Sequence, residues 1–471
     1  MPGLATIKRL EAHIIFIAAS IVFIAGVAFV PAQAGVFNPE TFTLENGLQV
    51  VVIPNHRSPV VSQMVWYKVG SADDPPGKSG VAHLLEHLMF KGTKVMAPGE
   101  YSKILARNGG RENAFTSNDT TAYYQVVAVD RLELVMKLEA DRMVNLVLTD
   151  ADVLPERNVV VEERRARTDN NPAALLDEQM GAALYLNHPY RRPVIGWKHE
   201  LESLTTEDVL AFYRRYYAPD NAILIVSGDI TADKLKPLAE KYYGSIPARK
   251  VAKRVRLKEP PHRAARRVQL RSPQVREPRW GRDYLAPSFS SGEKRHAYAL
   301  EVLNDILAGG ATARLYRSLV VEQKIAVSAG ASYDGDAYDL GTFSFYGQPA
   351  AGIGMDRFEA AMDAEIAKLL GSGVTINEVK RAKKRLLAGA IYARDSLRRG
   401  ARAIGTALTS GQTIDDVETW PEHIKAVTRE RVNEAARAVF KISNSVTGLL
   451  LPEKAPKPKA RKPKARKAEK P

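Results

Sequence analysis

The hydrophobic positions of this chain change period several times, and the changes divide it into elements. Between residues 42 and 52 two β-rich runs, FTL and LQVVV, flank Asn46-Gly47, a pair favoured at hairpin tips. Residues 60–69 (VVSQMVWYKV) continue as a strand. Over 79–89 the pattern turns helical, with Ser79 placed to cap the start and Gly92 just past the end. A short helix is expected at 100–107, and two strands surround Asn118-Asp119 within 113–127. Amphipathic helices follow over 131–147 and 155–168, the second read as starting at Pro155 because proline suits a first turn. A strand at 222–227, ending in Gly228-Asp229, and a helix at 232–243 complete the set.

The order then recurs. Residues 250–267, with Pro260-Pro261, read as a linker on composition. Beyond it, strands near 268–270 and 280–286 precede a helix at 296–307. A helix-strand-strand section at 314–346 and long helices from 355 to 410 come next. The closing VNEAARAVFKISNSVTGLLL at 432–451 parallels VLAFYRRYYAPDNAILIVS at 209–227. This predicts an α+β fold: two duplicated α/β-sandwich domains of about 200 residues, each a mixed or antiparallel sheet with helices packed on it. The expected domains are 35–248 and 266–452, joined by a basic linker at 249–265.

Charge changes the picture only at the edges. The net charge is +15, but residues 453–471 carry +7 of it and residues 249–282 carry +11, so the rest is slightly acidic. The Lys/Pro/Ala tail at 453–471 cannot bury a core and is expected to be disordered. At the other end, Lys8 and Arg9 precede an apolar run at 14–30 and Ala32-Gln33-Ala34, which together describe a signal peptide over 1–34. Cleavage after Ala34 would export the chain to the periplasm. The run is also barely long enough to remain as an inner-membrane anchor facing the periplasm. Export argues against a nucleic-acid partner. The chain has no cysteine, so its transition-metal ligands must be histidines and carboxylates.

Residues 83–87 read His-Leu-Leu-Glu-His. On a helix, His83 and His87 lie one turn apart on one face and can reach one metal, with Glu86 beside them as a general base. A buried helix whose histidines bond to carbonyls is the alternative reading. A third ligand has to come from elsewhere, and the helix over 155–168 offers it. Glu156 and Glu163 are seven apart and share a face, whereas Glu162 is rotated by about 100° toward solvent or an arginine.

HLLEHLMFKGT (83–93), NAFTSNDTTAYY (113–124), HPYRRPVIG (188–196) and YYAPDNAILIVSGD (216–229), with ERNVVVEE between them, resemble the pitrilysin-type inverzincin metallopeptidases. The similarity covers nearly all of the first half and weakens toward residue 450. It implies one zinc ion per chain on His83, His87 and Glu163. It assigns Glu86 as the catalytic base, with Glu156 behind the ligands as a second carboxylate of the catalytic machinery. It further implies an edge strand to which a peptide substrate adds, with Asn113, Ala114 and Phe115 in contact with it. His188 is expected to fix local structure and not to bind metal.

The pattern breaks in the second half. The counterpart of HLLEH falls within YALEVLNDI (298–306), which has no histidine. Relatives with complete sites carry an Arg and a Tyr where this chain has Val320 and Val327. Some bacterial members divide these parts between two chains. The resemblance therefore implies a zinc endopeptidase acting as one half of a heterodimer whose homologous partner supplies the Arg/Tyr pair, with a homodimer as the other arrangement. A non-catalytic peptide-binding or assembly subunit of the same fold is the alternative function.

Overall fold

The computed structural model describes residues 35–453. The leader (1–34) and the tail beyond Glu453 lie outside the described residues. Among the described residues, no helix is long and apolar enough to cross a membrane.

Thirteen strands among the described residues form the framework: β1 (Glu40–Thr43), β2 (Gln49–Pro54), β3 (Val60–Tyr67), β4 (Gly92–Thr93), β5 (Arg111–Thr116), β6 (Thr121–Ala128), β7 (Leu146–Val147), β8 (Ala222–Gly228), β9 (Arg266–Ser272), β10 (Arg279–Ala286), β11 (Ala326–Asp334), β12 (Gly341–Pro349) and β13 (Ser445–Pro452). One sheet runs β1-β2-β8-β3-β6-β5, a second runs β11-β12-β10-β13-β9, and β4 pairs with β7. Read from opposite ends, β2-β8-β3-β6-β5 matches β9-β13-β10-β12-β11 strand for strand, and β1 is an addition at the edge of the first sheet. β2 is parallel to β8 as β9 is to β13, and every other neighbouring pair is antiparallel. The duplication expected from element order is therefore a duplication of topology. A helix follows the third strand of the repeat in each half: Val81–Leu88 after β3, and Ala297–Ala308 after β10.

Each sheet packs its own helices on one face and a helix of the other half on the opposite face. Helix Pro172–Leu184 crosses to the second sheet, where Leu176, Met180 and Leu184 meet Val446 and Leu450. Helix Leu397–Thr409 crosses the other way and sets Ala401 and Ile404 against Trp66, Ile223 and Ile225. The approach is close: a Cβ on Gly405 would lie 2.1 Å from the Trp66 ring. Any larger residue there would have to push the helix off the sheet.

The basic segment 250–263 is irregular backbone, yet it is not a solvated tether. Arg254 and Arg256 are nearly buried. Arg256 pairs with Asp73 and Asp119, and Arg254 donates to the carbonyls of Asp119 and Thr409. Charges that composition counts as excess are neutralised by aspartates of the first half.

Two local expectations are corrected. Ser79 does not cap the helix that follows. Asp74 does, accepting from Gly80 N at 2.7 Å and Ala82 N at 3.1 Å, while Ser79 Oγ accepts from Trp197 N. Pro155 is not a first-turn proline. Its helix spans Asp150–Arg164 and starts in a capping box between Thr149 and Asp152, which satisfies the exposed amides one turn earlier.

Beneath the first sheet, Glu139 and Arg142 form a buried ion pair, with Arg142 Nη2 at 2.6 Å from Glu139 Oε2. Gln125 Nε2 also donates to Glu139 at 2.9 Å, and the guanidinium lies 4.4–5.0 Å from the ring centroids of Phe90, Tyr101 and Tyr123. Removing the carboxylate strands a buried cation. Glu139→Ala should therefore destabilise the fold by roughly 3–5 kcal/mol, read from the urea midpoint. A change below about 1 kcal/mol would mean that water reaches Arg142.

Candidate metal centre

Helix Val81–Leu88 is short because it is almost wholly buried, with Ala82, Leu84, Leu85 and Leu88 in the first core. Its polar residues share the remaining face. That face lies against helix Asp150–Arg164 and strand β5. His83, His87 and Glu163 each offer a ligand atom there, all within 4.8 Å of one another. His87 Nε2 is 3.3 Å from Glu163 Oε2, and His83 Nε2 is 4.0 Å from Glu163 Oε1.

The other member of the pair seven apart has a different place. Glu156 Oε1 is 3.0 Å from His87 Nδ1, which leaves Nε2 aimed at Glu163. Its other oxygen is held by Lys91 Nζ at 2.5 Å. Glu162 lies on the exposed flank, 3.6 Å from Arg165. Arg167, one turn beyond Glu163, reaches back to its Oε1 at 2.5 Å.

The electrostatics suit a cation. Burial, the neighbouring His87 and Arg167 lower the His83 imidazole to about 3, so it is neutral, the form that ligates metal. His87 moves the other way. Burial pulls it down, but the bond to Glu156 and the charges of Glu163 and Glu86 outweigh that. The bond to His87 holds Glu156 down at about 2, with Lys91 helping. Burial raises Glu86, and its hydrogen bond from Thr116 opposes the shift. A divalent ion between two imidazoles and a carboxylate would be stabilised by the field that draws a proton to His87. The donor set, two His nitrogens and one carboxylate oxygen, is that of a catalytic zinc site with an open position. A small closure of side chains brings such atoms to ligand distances of about 2.0–2.2 Å.

Glu86 and His87 line a cavity of about 550 Å³ with Phe90, Lys91, Asn113, Ala114 and Glu156. The opposite wall is β5, an edge strand of the sheet, which among the described residues pairs only with β6. Asn113 is exposed on this edge and its Oδ1 accepts from Ala114 N at 2.7 Å. Phe115 gives the edge only its backbone. Its ring turns to the other face, edge-on to Trp66 at 5.3 Å and under the Arg402 guanidinium. His188 is away from the centre, buried, with Nε2 at 3.0 Å from Asp339 Oδ2. Sequence reasoning missed Thr116, Lys91 and Arg167. Lys91 and Arg167 stand four residues after His87 and Glu163, a spacing that could have flagged them.

A family profile described as "Insulinase (Peptidase family M16)" matches residues 49–198, and one described as "Peptidase M16 inactive domain" matches residues 203–386. The zinc protease PqqE of Helicobacter pylori is 34% identical over 355 residues, covering 75% of this chain and 79% of its own length. The chain belongs to peptidase family M16. An uncharacterized zinc protease of Mycobacterium leprae, ML0855, is 31% identical to this M16 chain over 403 residues, 84% of this chain and 88% of its own. The crystal structure of a protease from Helicobacter pylori superposes with a TM-score of 0.83 at 31% identity, covering 89% of this chain and all of the other. The periplasmic protease PqqL of Escherichia coli shares the fold, with a TM-score of 0.76 at 22% identity. The M16 chain covers 47% of PqqL. In the second half of this M16 chain, the helix after β10, Ala297–Ala308 (AYALEVLNDILA), has no histidine.

Proposed function

We propose that this chain is the zinc-bearing subunit of an exported metalloendopeptidase that cuts extended peptides. One observation carries the reading. The histidine pair and Glu163 converge beside Glu86, and Glu86 and His87 line a cavity whose far wall is an open strand edge.

His83, His87 and Glu163 would hold the ion, one per chain, and Glu156 would orient His87 through Nδ1. A zinc ion held there polarises a carbonyl and makes water a nucleophile near neutral pH. Glu86 takes a proton from the attacking water and returns it to the leaving amine. The peptide adds to β5 as a further strand, so main-chain bonds hold it whatever its sequence. Asn113 covers the Ala114 N–H until a peptide carbonyl displaces its side chain.

Two features support a second chain. Val320 is half-buried against the second core and Val327 is exposed on β11, and neither can donate to a developing oxyanion. PqqL is also about twice as long as this chain, which fits a site assembled from two such halves. The signal-like leader, together with that periplasmic relative of like fold, supports export.

The experiment is digestion of an unstructured peptide by the zinc-loaded protein, wild type beside Glu86→Gln, with metal content read on both. Equal cleavage by the two would end the peptidase reading. A smaller effect is expected at the residue behind the ligands. Glu156→Gln should weaken zinc binding by about 10–100-fold in competition with a chromophoric chelator. Unchanged affinity would show that His87 needs no orienting partner.

A further inference from the structure

The motif at 113–124 is only partly used by this reading. Asn113 and Ala114 belong to the peptide edge, while Thr116, Thr121 and Tyr123 have no part in it. One of these hydroxyls, that of Thr116, sits on the base, and the others cluster beside it. Thr116 Oγ1 donates to Glu86 Oε2 at 2.6 Å and lies 3.5 Å from Thr121 Oγ1. Thr121 Oγ1 donates to the Val69 carbonyl at 3.1 Å, and Tyr217 is hydrogen-bonded to Thr121. Tyr217 OH and Tyr123 OH are 2.8 Å apart. Thr121, Tyr123 and Tyr217 are fully buried.

The proton count sets the direction. A hydroxyl has one proton to give. Thr121 spends its own on Val69, so its oxygen is the acceptor for Tyr217. An ionised carboxylate can only accept, so the Thr116 proton goes to Glu86 at 2.6 Å, and the 3.5 Å contact with Thr121 carries none. Among the described residues, Thr116 is the one hydrogen-bond donor to that carboxylate. Glutamate has three side-chain torsions, and a base must be held within about 0.5 Å of its productive place. Thr116 is β-branched and sits on a strand, so its own χ1 is restricted.

We propose that Thr116 is a positioning residue. Its hydroxyl ties down Glu86 Oε2 so that Oε1 faces the attacking water, and it links the base to the strand on which the peptide docks. The inference rests on Glu86 acting as the base.

The test uses the zinc-loaded protein, with its partner chain where activity requires one, and compares wild type, Glu86→Gln, Thr116→Val and Thr116→Ser. Valine keeps the shape and removes the donor; serine keeps the donor. Thr116→Val should lower kcat by about tenfold with KM within about twofold, because orientation is lost and peptide binding is not. Metal content and melting temperature should stay at the wild-type values, and Thr116→Ser should recover most of the rate. Peptide affinity, measured in a Glu86→Gln background, should not change on adding Thr116→Val. Full-speed turnover by Thr116→Val overturns the proposal, as does loss of metal in step with rate, or a serine variant as slow as the valine one. If Glu86→Gln cleaves as well as wild type, the base reading has failed and this inference falls with it. If Glu86→Gln is inactive and Thr116→Val is not, only this inference falls.

Discussion

Glu86→Gln should reduce peptide hydrolysis by about 10²–10⁴-fold while the protein keeps its zinc. The two halves of that expectation have separate origins. The rate falls because an amide cannot accept a proton, and the site has no second free carboxylate to replace Glu86. Glu163 faces the two imidazoles, and Glu156 is committed to His87 and Lys91. The metal stays because the three atoms that converge belong to His83, His87 and Glu163. Elemental analysis of the purified variant, beside a fluorogenic peptide assay, reads both. A variant that loses metal with its activity would make Glu86 a ligand. One that keeps its activity would remove it from the reaction.

The second large effect concerns the partner. Mixed with a homologous chain that carries the Arg/Tyr pair, this protein should gain about 10²–10³-fold in kcat/KM over either chain alone. The argument comes from what the chain lacks. Val327 projects from β11 at 54% exposure, so an apolar side chain stands at an open edge where a donor is expected. Val320 is turned into the second core and cannot be replaced by a neighbour without repacking it. Neither valine side chain can donate to a developing oxyanion. Steady-state rates for each chain separately and for the mixture decide the matter. A lone chain that cleaves as fast as the mixture would place the missing donors elsewhere in its own fold.

Much of the centre was legible because it is built from helical spacing. The i, i+4 histidines and the seven-residue interval from Glu156 to Glu163 fix a common face whatever the rest of the fold does. Their division of labour was not legible from spacing and came from the family resemblance. Glu156 behind His87 and Glu163 in front of it differ only in their distance along the helix from the crossing point, which is a tertiary quantity. The same limit explains the capping errors. Ser79 and Pro155 carry the right chemistry for helix starts, but Asp74 outcompetes the one, and Thr149 with Asp152 begins the helix before the other. Composition marked the basic segment as a linker and could not show its ion pairs, because the partners of Arg254 and Arg256 lie far back in the chain. The duplication was visible as an order of elements. The exchange of helices between the sheets was not, since an amphipathic stripe such as Ala401 and Ile404 does not name the surface it covers.

That exchange makes the linker a poor place to cut. A fragment ending at Ala248 would keep the histidines, both glutamates and the peptide edge, and so by its residues alone would count as a whole peptidase domain. It would also keep helix Pro172–Leu184 with no sheet to cover, and would leave Trp66, Ile223 and Ile225 bare where Leu397–Thr409 had lain. Two greasy surfaces would open at once, and each invites another copy. Neither repeat is thus a portable module. A single copy on its own would meet this demand only as a pair of subunits, each lending its neighbour a helix.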